Sequence, residues 1–213
     1  MTKARVVYSV GINDADYCVI KYREIDTDSG KRKREIVWRC PFYMRWKSML
    51  TRCYSEKYKR TNPTYKDCSV CEEWLRFSNF KAWMETQDWE GKQLDKDLLA
   101  NDGKVYSPET CCFISPKLNN FLKGCAKTNK TGYRGVHFDP TCNKYMALVG
   151  NPFIKGSNSE YLGHYSIPED AYNVWAAKKK FFAVELAKFE SDTRVLAAIE
   201  KMEWIKAQNE VAI

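Results

Sequence analysis

Apolar and polar residues alternate along the first forty positions of the chain. Val6, Tyr8, Val10 and Ile12 recur at every second residue, which predicts a strand with one apolar face. Tyr17 to Tyr22 makes a second such run, and Glu35-Ile36-Val37-Trp38-Arg39 a third. Between the second and third lies Asp26-Thr27-Asp28-Ser29-Gly30, a composition that turns the chain. The expected product is a small antiparallel sheet whose tip reads Lys31-Arg32-Lys33-Arg34.

The period then lengthens. Pro41 suits a first helical position, and Trp46, Met49, Leu50 and Cys53 follow at helical spacing as a core stripe. Ser78 is placed to cap a helix through Phe80, Trp83 and Met84, and Ser115-Pro116 to open one containing Leu118, Phe121 and Leu122. Residues 123–132 carry no apolar pattern and read as a linker. Residues 133–165 read as three short strands. An amphipathic helix opening at Pro168 follows, with Ala171, Val174, Trp175 and Phe182 on the covering face. Ser191 or Asp192 can cap a last helix striped by Val195, Leu196, Ile199, Met202 and Ile205, a face for the chain's own core or for a second copy. The pattern therefore predicts an α+β chain: an N-terminal hairpin, a mixed middle region, a three-stranded antiparallel sheet packed on one helix, and a C-terminal helix.

Charge narrows the partners. The 213 residues carry 35 Lys and Arg against 27 Asp and Glu, a net charge of +8. The surplus is local. Residues 21–60 hold thirteen basic and five acidic groups, and residues 123–160 six and two; residues 70–97 invert the balance, with four and seven. Basic blocks around one acidic island suit a nucleic-acid binder that holds a metal. The tip Lys31, Arg32, Lys33 and Arg34 is then a phosphate grip, or else a solvated loop. No apolar run is long enough to span a membrane, and Met1-Thr2-Lys3-Ala4-Arg5 is unlike an export signal, which places the chain in the cytoplasm. Nothing in the pattern fixes the oligomeric state.

Nine cysteines without an export signal argue against a disulfide framework. Cys68-Ser69-Val70-Cys71 has ligand spacing, and Cys53, Cys111 or Cys112 could complete four thiolates around Zn²⁺. The alternative is that they are small buried hydrophobes.

Two family resemblances sharpen these expectations. The run Tyr133-Arg134-Gly135-Val136-His137, then Asn143-Lys144-Tyr145, Tyr161-Leu162-Gly163-His164-Tyr165 and Pro168-Glu169-Asp170-Ala171, resembles the Apetala-type (ethylene-response-factor) DNA-binding domain. In that family the sheet enters the major groove, so the resemblance implies double-stranded DNA as partner and Arg134, His137, Lys144 and Tyr145 as its contacts. Gly135 and Gly163 would permit close approach of strand and helix. The chain departs at His137 and Tyr145, where plant members carry arginine and tryptophan, and at Leu148 and Gly150, where they carry further charged residues.

Residues 42–122 resemble bacteriophage HNH-type endonucleases through Arg52-Cys53-Tyr54, Val70-Cys71-Glu72-Glu73-Trp74, Phe77-Ser78-Asn79-Phe80, Leu94-Asp95-Lys96-Asp97 and Tyr106-Ser107-Pro108-Glu109-Thr110-Cys111. The resemblance implies a ββα-metal region that cleaves or nicks DNA with Mg²⁺. Asp95 would hold the metal, Thr110 falls near the middle asparagine, and Asn119 or Asn120 would complete the shell. Lys96 stands where the family's histidine stands, leaving Lys96 or Asp97 to handle the proton. Asp95 and Asp97 can instead cap a turn or pair with lysines, which leaves a non-catalytic DNA-binding regulator on the same scaffold. The expected organisation is 1–122 as hairpin and nuclease-like module, 123–132 as linker, 133–190 as the Apetala-like domain and 191–213 as the final helix.

Overall fold

A computed structural model describes residues 5–26, 32–100, 103–123, 130–156 and 159–203. The fold is α+β, with small sheets and six helices among the described residues. The chain divides into two compact units, 1–90 with 94–113 and 91–93 with 114–213. The division therefore falls ahead of the 123–132 stretch, whose residues 124–129 lie outside those described.

The first unit opens with β1 (Arg5–Val7) and β2 (Gly11–Asn13), paired antiparallel. The expected single strand over 6–12 is thus a hairpin. Tyr8 and Ser9 both take positive φ, 52° and 62°, and reverse the chain there. Consequently Val6 and Tyr8 stay exposed. β3 (Ile20–Asp26) and β4 (Arg32–Arg39) form a second two-stranded ribbon with a bulge at Val37.

Helix α1 (Pro41–Tyr54) buries the stripe Tyr43, Trp46, Met49, Leu50 and Cys53, as its spacing predicts. A short α2 (Glu56–Thr61) and a 3₁₀ turn, Pro63–Tyr65, lead to β5 (Ser69–Val70) and a second 3₁₀ turn, Glu72–Leu75. Helix α3 spans Phe77–Glu85. Ser78 does not cap it: Asp14, from the segment after β2, accepts from Ser78 N at 2.9 Å and Ser78 Oγ at 2.7 Å, so the cap is supplied across the chain. Strands β6 (Gln93–Asp95), β7 (Val105–Tyr106) and β8 (Cys112–Ile114) are short, and β7 runs parallel to β5.

Rings fill the first core. Trp74 meets Phe80 edge-on at 5.1 Å, and Trp46 Nε1 donates to the Trp74 carbonyl at 2.7 Å, satisfying the buried indole. Gly11 gives the hairpin access to that core, since a Cβ there would lie 2.4 Å from Leu50 Cδ1.

In the second unit α4 (Pro116–Leu122) is capped as expected, Ser115 Oγ accepting from Leu118 N at 3.2 Å. Glu190, almost wholly buried, accepts from Ser115 N at 3.0 Å and pairs with Lys92 at 3.1 Å, which ties 91–93 to this unit. Strands β9 (Val136–Asp139), β10 (Lys144–Gly150) and β11 (Ser159–Tyr165) make an antiparallel sheet in the order β11-β10-β9. Helix α5 (Pro168–Ala187) packs across all three. Pro168 opens it, and Glu169 and Asp170 in its first turn suit the positive end of the helix dipole.

The covering face of α5 differs from expectation at one position. Tyr172 is buried with Ala171, Trp175 and Phe182, while Val174 is exposed. Gly135, at φ 71°, lies directly under Trp175, where a Cβ would come within 2.0 Å of the ring. Gly163 has another role. Its φ of 124° accompanies the bulge in β11, and its nearest side chain is Tyr165, not the helix. Helix α6 (Thr193–Lys201), capped by Asp192, ends before Ile205, which lies outside the described residues.

Candidate nucleic-acid interface

Strand alternation assigns each side chain of the β9–β11 sheet to a face. Val136, Ala147 and Val149 turn towards α5 and are buried. Their neighbours turn outward: His137 and Asp139 on β9, Lys144 and Met146 on β10, and their β11 partner His164. Tyr145, next to Lys144, must point the other way. It is half-buried against the core beneath α5, its ring 5.3 Å from the exposed ring of Phe138. Tyr145 is therefore a packing residue and not a contact of the outer face. Arg134 precedes the sheet at Gly135, half-buried. It lies close enough to Tyr172 to oppose the upward shift that burial gives that phenol. Of the four residues implied by the Apetala-type resemblance, Lys144 and His137 are thus the pair on the exposed outer face.

The outer face holds a group that the sequence reading missed. Tyr161 and His164 are three residues apart, a spacing that in a regular strand puts them on opposite sides. The bulge between Ala147 and Leu148 in the register brings both outward. His164 Nε2 lies 3.0 Å from Asp139 Oδ2, and its Nδ1 lies 2.6 Å from Tyr161 Oη. Hydrogen bonds from the Thr141 hydroxyl, from Thr141 N and from His164 hold Asp139 down to about 2. The carboxylate is therefore ionised, so Nε2 carries a proton and donates to it, and the Tyr161 hydroxyl is the partner of Nδ1.

The β3–β4 ribbon offers a different surface. Every residue of β4 is exposed, as are Lys21 to Glu24 of β3, while Ile20 at the base of the ribbon packs on the first core. Residues 20–26 and 32–39 carry six basic groups against three acidic. Glu35 accepts from Arg23 at 2.7 Å, and Glu24 lies 3.5 Å from Arg34 and 4.0 Å from Arg32. Lys21 and Trp38 pair across the strands with the ammonium 5.4 Å from the ring. Tyr22, Ile36 and Val37 are exposed beside them. Arg32, Lys33 and Arg34 stand at the outer end of β4, and Lys31 lies outside the described residues.

The nuclease-like residues are engaged by their own neighbours. Asp95 Oδ1 accepts from the backbone of Asp97 and Leu98, each at 2.9 Å, which makes it a turn cap. Burial pushes its carboxyl above the ordinary range despite those two donors. Lys96 is buried, and its ammonium donates to Asp97 and, at 2.5 Å, to the Gly103 carbonyl. It also stands 5.4 Å from the Tyr65 ring and 5.8 Å from that of Tyr106. Burial works to discharge it, but the Asp97 bond and charge outweigh that, and the net shift is upward. A lysine held as its ammonium does not abstract a proton near neutral pH. Lys96, Asp97, Tyr65 and Cys68 border a cavity of about 400 Å³.

Thr110 spends its hydroxyl on the Val105 carbonyl at 2.6 Å. Asn119 donates to Gln93 at 2.6 Å, and Asn120 accepts from Lys123 at 3.2 Å. Around Asp95 no three carboxylate, imidazole or thiol groups gather at ligand distance among the described residues. Asp95 Oδ1 is taken by backbone donors and the side-chain oxygen of Asn120 by the Lys123 ammonium, while Asn119 uses its amide nitrogen towards Gln93.

The thiols do not converge on zinc. Cys68 and Cys71 flank β5, and an extended backbone sends residues three apart to opposite sides. No three of Cys53, Cys68, Cys71 and Cys111 bring their sulfurs within 4.8 Å of one another. Burial pushes Cys53 and Cys111 up to about 12. Among the described residues, the one group of three or more metal-ligating side chains with ligand atoms within 4.8 Å of one another is Asp139, Cys142 and His164.

The described residues contain no helix long and apolar enough to cross a membrane. Comparison with protein-family models, with curated proteins and with solved structures finds no match.

Proposed function

We propose that this chain is a double-stranded-DNA-binding protein in which the β3–β4 ribbon is a principal contact and the outer face of β9–β11 a second one. The carrying observation is the ribbon, exposed along all of β4 and from Lys21 to Glu24 of β3, and studded with cations and rings. An isolated two-stranded ribbon is marginal in water, and its apolar side chains gain nothing from exposure. The major groove admits a ribbon of this width, and its phosphate walls reward surplus positive charge. On the second sheet, Lys144, His137 and Tyr161 supply an ammonium, an imidazole and a phenol to the same kind of surface.

The nuclease-like segment is, on this reading, a catalytically silent scaffold. Its support is that Asp95 caps a turn, Lys96 is held as a cation and the side-chain oxygen of Asn120 accepts from Lys123.

Two measurements test the proposal. Duplex binding followed by fluorescence anisotropy across a salt series should give a steep dependence that becomes shallower in Arg32→Ala/Lys33→Ala/Arg34→Ala. An unchanged slope in that variant removes the ribbon from the interface. Plasmid incubated with Mg²⁺ or Mn²⁺ should stay supercoiled. Nicking by the wild type that disappears in Asp95→Ala would establish the endonuclease instead.

A further inference from the structure

We propose that Asp139, Cys142 and His164 form a binding site for a borderline transition-metal ion of the zinc or cobalt(II) class on the outer face of the C-terminal sheet. The inference is independent of DNA binding.

The local fold gathers three different donors. Asp139 ends β9, and the tight return Pro140-Thr141-Cys142-Asn143 follows, with Asn143 at φ 54°. Thr141 N donates to Asp139 Oδ1 at 3.0 Å, which fixes the carboxylate to the turn and leaves Oδ2 directed at His164. The turn carries Cys142 back beside Asp139, its Sγ 4.0 Å from the Asp139 carbonyl oxygen. His164 reaches across β10 from β11. The carboxylate, thiol and imidazole ligand atoms all lie within 4.8 Å of one another. A tetrahedral ion with Zn–N and Zn–O bonds of about 2.0–2.2 Å holds those two ligand atoms about 3.3 Å apart. Oδ2 and Nε2, now 3.0 Å apart, need to separate by only a few tenths of an ångström.

A partner for the far side of the imidazole is in place. A metal-binding imidazole is normally oriented by a hydrogen bond at its other nitrogen. Tyr161 Oη lies 2.6 Å from Nδ1. When the ion takes Nε2, the imidazole proton moves to Nδ1 and is donated to Tyr161, so the ring stays neutral. The thiol releases its proton to solvent. One proton therefore leaves per ion bound. A thiolate, an imidazole and a carboxylate together select zinc or cobalt(II) over Mg²⁺ or Ca²⁺, and three protein ligands leave the fourth position for water. Asp139 and His164 keep 25% and 28% of their side-chain surface exposed and Cys142 is exposed, so an ion can enter from solvent.

The test uses the reduced full-length chain and the metal alone. Cobalt(II) titration should produce thiolate-to-cobalt charge-transfer absorption saturating at one ion. Cys142→Ser should abolish that band, and His164→Asn should weaken binding tenfold or more. Tyr161→Phe should keep the band but weaken binding about tenfold, as loss of an orienting partner does. Zn²⁺ should displace cobalt and raise the Tm of the wild type but not of Cys142→Ser. All three sites are on the exposed face, and circular dichroism confirms that each variant is folded. No band in the wild type, or a band undiminished in Cys142→Ser, overturns the proposal.

Discussion

At the scale of single residues, most of the chemistry depends on which way a side chain points, and two residues make this measurable. Gly135 was legible as a point of close approach, and the structure supplies the reason: positive φ beneath the Trp175 ring. Gly135→Ala must both strain the backbone and displace the indole, and each contributes. The expected loss is about 3 kcal/mol, read from the urea midpoint; an unchanged midpoint would refute the packing described. Asp139 gives a pH signature. Its folded value of about 2 lies below the ordinary 3.8. Its ionised form is therefore favoured by folding, and that stability is fully present above pH 3.8 and lost as pH falls towards 2. Tm should fall more steeply over that window in the wild type than in Asp139→Asn. Equal acid limbs would show that the Thr141 and His164 bonds contribute nothing to folding.

At the scale of elements, periodicity identified α1, α5 and the three-stranded sheet, because each buries a stripe or alternates over several residues, and Ser115-Pro116 marked the start of α4, which buries Leu118 alone. It failed where one residue breaks the period. Tyr8 and Ser9 fold a supposed strand into a hairpin, and the β11 bulge turns Tyr161 and His164 to the same side. Neither event has a signal in apolar spacing. Tyr145 was misplaced for the opposite reason: strict alternation with Lys144 already required it to face inward, and an implied role concealed that. The α3 cap shows a third limit, since a cap from Asp14 is 64 residues distant from Ser78 and invisible to local reading. Asp14→Ala should therefore destabilise the first unit by about 1 kcal/mol, the usual worth of an N-cap, while Ser78→Ala, which keeps the backbone donor, should be milder. Equal losses would contradict the backbone bond as the principal cap.

At the scale of the whole molecule, a net charge of +8 says only that polyanions are attracted. It does not say how many cations touch one, and counterion release does. Each phosphate contact adds about 0.9 to the slope of log affinity against log salt. If both the ribbon and the sheet engage a single duplex, their contributions to that slope add even where their affinities do not. Arg32→Ala/Lys33→Ala/Arg34→Ala should lower the slope by about 3, Lys144→Ala by about 1, and the combined variant by about 4. A combined variant no different from the ribbon variant would leave the C-terminal sheet out of the complex. Slopes unchanged in all three would mean that the phosphates are held elsewhere, and that the exposed rings of Tyr22 and Trp38 serve some contact other than nucleic acid.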